Sequence, residues 1–361
     1  SEVNEMIIGE RLKMARTMNG FSQRELASKA GVTATAISKY ERGMMVPSSG
    51  ILLKLSSALG VRVEYLMRPK LHPIHLTVPV FRSTNLGKKE EAMVKEKVRE
   101  WLERYLEVEG LFEIEKQTRF SIPPGYPIQI TDIQEVEQVA VKLRREWGLG
   151  DHPIESLTDL IEGKGIKVGT ISAPDSFDAL AFWYDGETPV ITLREGVPGD
   201  RQRFSIAHEL GHLMVEPSPD LDSENVAHRF AGAFLVLEDV ARAELGERRK
   251  RLDIFELYLL KQQYGMSIQA WVYRAKDLGI IPDREYRRIF DYFDEKGWRK
   301  CEPGDQIPPE EPRRMKRLVL RAYAEDVISA SRASELLGKS ISELCQIEEE
   351  RHGGFPIEMC D

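Results

Sequence analysis

Residues 203–217 read "RFSIAHELGHLMVEP", and how they fold decides the rest. His208 and His212 are four apart, so on a helix they share one face and turn their rings toward one point. Glu209 follows His208 by about 100° of helical rotation and lands beside that point instead of on it. Two imidazoles with a carboxylate that does not ligate suit a hydrolytic zinc centre: ring nitrogens hold the ion and the carboxylate takes a proton from water. Phe204, Ile206, Ala207, Leu210 and Leu213 make the helix a buried one, and buried histidines need partners.

A catalytic zinc needs a third protein ligand and an open fourth position. Pro217 and Pro219 force a loop after about Val215. "DSENVAHRFAGAFLVLEDV" (222–240) then begins a second helix, with Asp222 or Ser223 as its cap. Glu224 lies in the first turn of that helix and is the favoured ligand, because Phe230, Ala231 and Phe234 pack the helix against the first one. Asp222, Asp220 and Glu216 compete for the role. His228, one turn beyond Glu224, reads either as a group that hydrogen-bonds a ligand from behind or as an ordinary core or surface histidine. His72, His75, His152 and His352 show no ligand spacing.

Around this pair, residues 131–300 mix periods. Val139, Val141, Leu143 and Trp147 predict a helix ending near Gly148. "IKVGTIS" (166–172) and "ALAFWYDGETPVITL" (179–193) read as strands, the latter turning near Asp185-Gly186. Further helices are expected near 201–215, 223–236, 251–264 and 267–278. The strand "VITL" (190–193) is expected at a sheet edge, where it would bind an extended substrate, with the direction of Thr192 left open. Tyr184 and Arg203 are the candidates for steadying an oxyanion.

The N-terminal stretch differs. Residues 1–68 hold ten Lys and Arg against six acids, a charge of +4, leaving −12 for the remainder of a chain whose total is −8. A basic head on an acidic body implies that only the head meets a polyanion. In "FSQRELASKAGVTATAISKYERG" (21–43), Ser22 stands three before Glu25, the capping-box pattern. Gly31 allows a tight turn, Thr33 caps a second helix running to Arg42, and Leu26, Val32 and Ile37 supply a core. Such a helix-turn-helix lays its second helix in the major groove. Thr35 and Lys39 are expected at base edges, Ala34 against a thymine methyl, with Ser38 on the same face. Gln23, Arg42 and the capping Thr33 are expected at phosphates.

The other stretches say less. Residues 69–130 read as a linker with an amphipathic helix, "KKEEAMVKEKVREWLERYLEVEG" (88–110), which either pairs two subunits or covers the body. "RFSIPPGYPIQI" (119–130) reads as an extended connector. The stretch 108–130, with Gly110, Pro123, Pro124 and Gly125, is an exposed place where a cut would part head from body. Residues 301–361 read as a helical C-terminal region, in which "ISASRASELLGKSISEL" (328–344) is either a docking helix or a second helix-turn-helix-like unit. No apolar run reaches the roughly 18–20 residues of a membrane span, and the N-terminus is no signal peptide. Cys301, Cys345 and Cys360 make no disulfide framework or zinc-binding spacing, so a reducing cytoplasm is expected.

Residues 5–68, through "SQRELA..AGVTATAISKYERG...P" with Pro47, resemble the XRE (Cro/C1-type) helix-turn-helix family. That implies a five-helix domain bound as a dimer to a palindromic double-stranded operator. Residues 131–300, through "RQRFSIAHELGHLMV", the preceding strand "PVITL" and "ENVAHRFAGAFLV", resemble the ImmA/IrrE metallopeptidases, and the whole chain resembles their fusions to XRE heads. The resemblance implies His208, His212 and Glu224 as ligands of one Zn2+ (Mn2+ as a substitute) and Glu209 as catalytic base. The family usually has asparagine where His228 stands and often proline where Leu237 stands.

The expected architecture is multidomain: an all-α helix-turn-helix domain (1–68), the linker (69–130), an α+β zincin-like metallopeptidase domain (131–300) and the helical C-terminal region (301–361). The expected function is a DNA-binding transcriptional regulator whose zinc endopeptidase cleaves itself or a partner protein. The alternative is a repressor or antitoxin whose body binds a toxin partner or senses a signal without turnover. A purely structural zinc is disfavoured, because such a site has no use for a buried Glu209 that ligates nothing.

Overall fold

The computed structural model describes residues 2–69, 74, 86–112, 119–339 and 343. His72, His75, His352, Cys345, Cys360 and the end of the tail segment lie outside those residues. Five helices open the chain: α1 (Glu2–Met18), α2 (Gln23–Ala30), α3 (Ala34–Glu41), α4 (Ser49–Leu59) and α5 (Val63–Met67). The capping box is complete, with Ser22 Oγ accepting from the Glu25 N–H and the Glu25 carboxylate accepting from the Ser22 N–H at 2.6 Å. Gly31 takes φ 65°, a left-handed conformation only glycine adopts without strain, and Thr33 caps α3. Leu12, Leu26, Ile37, Leu55 and Leu66 form a fully buried core. α1 crosses α3 so closely that a Cβ on Gly9 would stand 2.4 Å from the Tyr40 carbonyl oxygen.

Helix α6 (Lys88–Gly110) follows, with Val94, Val98, Trp101, Leu102 and Tyr105 buried. It is no linker. Arg11 of α1, 2 % exposed, forks onto Glu103 of α6 at 2.5 and 2.7 Å, so α6 belongs to the compact unit of the head. The chain then builds a second unit over residues 118–312. In order this holds β1 (Ile128–Ile130), α7 (Val136–Glu146), α8 (Leu157–Gly163), β2 (Lys167–Ile171), β3 (Ala179–Tyr184), β4 (Thr188–Arg194), α9 (Gly199–Met214) and β5 (Val215–Pro217). After these come α10 (Ser223–Leu235), α11 (Glu238–Leu245), α12 (Ile254–Tyr264), α13 (Ile268–Asp277) and α14 (Asp283–Lys296).

The expected connector 119–130 supplies β1, which pairs in parallel with β5 and so holds the C-terminal end of α9. The three-stranded sheet runs β2-β4-β3, with β4 parallel to β2 and antiparallel to β3. The strand "VITL" is therefore central, not at the edge; β2 and β3 are the edges. Ile191 and Leu193 join the core shared with α9, so alternation turns Thr192 the other way, where it is fully buried.

Two last helices, α15 (Arg314–Ala324) and α16 (Ala330–Leu337), return to the head's unit. Val319, Ala333 and Leu336 cluster with Val108 of α6, and Arg68 meets Glu335 at 2.6 Å. The segment 301–312 instead stays with the body, where Glu310 pairs with Arg203 and Glu302 with Lys261. The body is thus an insertion between α6 and α15. A cut in 108–130 does not sever it from the head, because the chain still joins them at residues 312–313. Among the described residues no helix is long and apolar enough to cross a membrane.

Candidate metal centre

α9 and α10 cross at Gly211, where an added Cβ would lie 3.0 Å from Phe230 Cδ1 and 3.2 Å from Ala227 Cα. That closeness carries the first turn of α10 over the histidines of α9. His208 Nε2 lies 3.2 Å from His212 Nε2 and 3.1 Å from Glu224 Oε2, and His212 Nε2 lies 3.3 Å from Glu224 Oε1. Ligands about 2.05 Å from a tetrahedral ion stand about 3.3 Å apart, and each contact is of that length, the two histidines meeting different oxygens of Glu224. Among the described residues these are the groups gathered as a cation site. The competitors go elsewhere: Asp222 caps α10 by accepting from the Asn225 N–H at 2.8 Å, Asp220 is an exposed loop residue, and Glu216 on β5 meets Gln129.

Burial, then the neighbouring His212, pushes His208 down to about 4 against the pull of Glu224. Burial also lowers His212, against the pull of Glu224. Glu209 stands apart from the trio. Burial and then the charge of Glu224 push it up to about 8, opposed by the backbone N–H of Ala181 on the edge strand β3. A dication beside it would draw the value back down. Ala181 went unseen in the sequence, because its contribution is a backbone donor that no side-chain pattern marks.

The remaining expectations fare differently. His228 packs between the rings of Phe204 at 4.9 Å and Tyr273 at 5.0 Å, and among the described residues no hydrogen bond joins it to Glu224. Arg203 is 4 % exposed and committed to Glu310 at 2.5 Å and to the Ile154 carbonyl at 2.7 Å, which removes it as an oxyanion donor. Tyr184 pairs with Thr188 at the end of the hairpin, three residues past Ala181 on the same edge strand.

On the head, Thr35 and Lys39 are exposed one turn apart on α3, with Ser38 and Ala34 half-buried beside them. Thr33 Oγ1 accepts the Ala36 N–H, and Arg42 Nε donates to the Ser38 carbonyl at 3.2 Å. Gln23 is held inside the domain, donating to Glu41, which also takes the fork of Arg16.

Head and body together define a two-part protein: a helix-turn-helix module in one polypeptide with a metallopeptidase-like α+β module. Residues 12–66 match the family model of the helix-turn-helix, and residues 161–276 match that of the IrrE N-terminal-like domain. The chain is 42% identical over 62 residues to the SPbeta prophage-derived uncharacterized HTH-type transcriptional regulator YonR of Bacillus subtilis, 17% of this chain and 57% of that protein. It is 40% identical over 62 residues to the HTH-type transcriptional regulator ImmR of the same organism, covering 17% and 49%. It is 42% identical over 65 residues to the regulator SinR of Bacillus licheniformis, covering 18% and 59%. The chain spans about half the length of the curated relatives it matches.

Proposed function

We propose that this chain is a DNA-bound transcriptional regulator whose body is a zinc-dependent endopeptidase acting on a protein, itself or a partner. The observation that carries the reading is the convergence of His208, His212 and Glu224 at 3.1–3.3 Å with Glu209 left outside the cage. One Zn2+ fits that donor set, two neutral nitrogens and a carboxylate, and when bound supplies a Lewis acid at the scissile carbonyl. His208 and His212 offer ring nitrogens to it, and burial disfavours the protonated form of each ring. Glu209 takes the proton of the attacking water and hands it to the leaving amine. Ala181 fixes the Glu209 carboxylate from the edge strand. The open edge of β3 offers main-chain groups to an extended substrate, the part first given to β4.

On the head, Thr35 and Lys39 read bases while Arg42 and Thr33 hold phosphates, and two heads on a palindromic operator form a homodimer. Because residues 312–313 join the units whatever happens in 108–130, cleavage acts by cutting a partner or by loosening α6 from α15 and α16.

The test is Glu209→Gln. The variant retains zinc and its fold and loses cleavage by about 10²-fold or more, read by mass spectrometry of products from zinc-loaded protein. Cleavage at the wild-type rate removes Glu209 from the mechanism. A wild-type protein that binds a partner without cutting it establishes the repressor or antitoxin reading instead.

A further inference from the structure

A cleft of about 650 Å³ opens in the head's unit, where the C-terminal ends of α1 and α4 meet α5, α6 and α16. Six charged residues line it: the cations Arg62, Arg68, Arg104 and Lys339 and the acids Glu100 and Glu335. Four positive charges against two negative ones leave a balance of +2. Every lining residue belongs to the head's unit, so the cleft is independent of the metal centre.

Both acids are already matched. Glu335 takes Arg68 at 2.6 Å and Arg332 as well, and Arg332 also pairs with Glu107. Glu100 Oε1 lies 2.8 Å from Arg104 Nε. Counting Arg332 and Glu107 leaves the balance at +2. The surplus is Arg62 and Lys339. Arg62 Nη1 donates to the hydroxyl and the carbonyl of Ser331, both neutral. Lys339 is exposed, with no carboxylate against it among the described residues.

The helix ends at the cleft do not cancel that charge. α4 and α16 finish at the left-handed glycines Gly60 and Gly338, and the Ser56 and Ser334 carbonyls accept from the Val61 and Lys339 N–H groups at 3.1 and 3.0 Å. Arg104 Nη1 takes up the Leu336 carbonyl at 2.7 Å. The cations follow α16 in order: Arg62 at Ser331, Arg68 at Glu335, Arg104 at Leu336, and Lys339 past its end. That run is about two turns, roughly 12 Å. The Arg68 and Arg104 side chains are only 22 % and 19 % exposed, so solvent screens them less than it does an open surface.

We propose that this cleft binds a small molecule carrying two anionic groups and so bridges the helix-turn-helix domain to α16. Its volume falls within the range of small-molecule sites, about 300–1,000 Å³. Phosphoryl and carboxyl groups share the chemistry that the cleft reads: one accepts from Arg62 and the other from Lys339, with Arg68 and Arg104 between them. Arg62 precedes α5 and Lys339 follows α16, so a dianion touching both fastens the two helices where the pair Arg68–Glu335 already joins them. A monoanion reaches one end only and binds more weakly.

The test is isothermal titration calorimetry on the full chain at fixed low ionic strength. Fructose 1,6-bisphosphate is the phosphoryl probe and adipate the carboxyl probe, and the tighter of the two identifies the source. That probe is expected to bind saturably, at least about tenfold more tightly than inorganic phosphate or acetate. Arg62→Gln and Lys339→Gln are each expected to weaken it about three- to tenfold, since each removes one charge-assisted contact. Neither residue holds a carboxylate, so both variants keep a near wild-type Tm without ligand and lose most of the rise in Tm that the probe gives wild type. Absence of saturable binding by either probe overturns the site. Binding that both variants leave unchanged puts the anion elsewhere and overturns it too. Variants that weaken binding to random duplex DNA in a gel shift, with probe binding intact, make the cleft part of the DNA surface instead.

Discussion

Gly211→Ala is the sharpest test of how packing builds the site. The new Cβ would stand 3.0 Å from Phe230 Cδ1 and 3.2 Å from Ala227 Cα, where ordinary contact begins at 3.4 Å. Phe230 is fully buried and stacked on Phe234 at 5.6 Å, so it has no room to turn. Ala227 Cα is backbone and yields only if α10 moves. The shift required is about 0.3 Å, larger than the ~0.2 Å tolerance of a metal site, and it carries Glu224, one turn away, off the two histidines. Zinc affinity is therefore expected to fall about tenfold or more, measured by competition with a chromophoric chelator. Stability moves less: alanine in a helix gains about 0.5–1 kcal/mol over glycine while overpacking costs about 1–3 kcal/mol. A variant that gains stability in urea and binds zinc like wild type would show that the crossing at Gly211 does not set the cage.

Two other outcomes follow from the same geometry. Glu137 of α7 is 6 % exposed and takes the Arg274 fork at 2.6 and 2.7 Å and Arg229 at 3.0 Å. Glu137→Gln leaves buried arginine charge uncompensated and is expected to cost about 3–5 kcal/mol in urea unfolding of the body. Burial raises the Glu137 pKa, but the two arginines outweigh it and hold it below the usual carboxylate range. Its stabilisation is accordingly full above the unfolded value of about 4.3 and is lost as pH falls through the lower folded one, so the gap between wild type and variant closes only in strong acid. A gap that shrinks between pH 7 and 5 contradicts that sign. On the head, Thr35→Ala with Lys39→Ala is expected to weaken cognate operator binding at least about tenfold more than random DNA, measured by gel shift at fixed salt. Equal losses on both would make these residues phosphate contacts.

Local rules made much of this protein legible. A capping box at Ser22, a left-handed glycine at 31 and a cap at Thr33 determine two helices and their turn, because each rests on neighbours within four residues. The same holds for the pairing of His208 with His212, which needs only helical periodicity. Glu224 was favoured over Asp222, Asp220 and Glu216 because a helix holds it and Phe230, Ala231 and Phe234 on that helix pack against the first one. What the sequence left open depended on neighbours far along the chain. The order β2-β4-β3 made β3 an edge strand and handed Ala181 to Glu209, though nothing in "VITL" marks it as central. Arg203 is spent on Glu310, 107 residues on, and α6 is tied to α1 by Arg11 and Glu103, 92 apart. Hydrogen bonds and ion pairs of that reach leave no periodic trace, so only the folded chain shows which charges are already satisfied and which, like Asp200 Oδ1, are not.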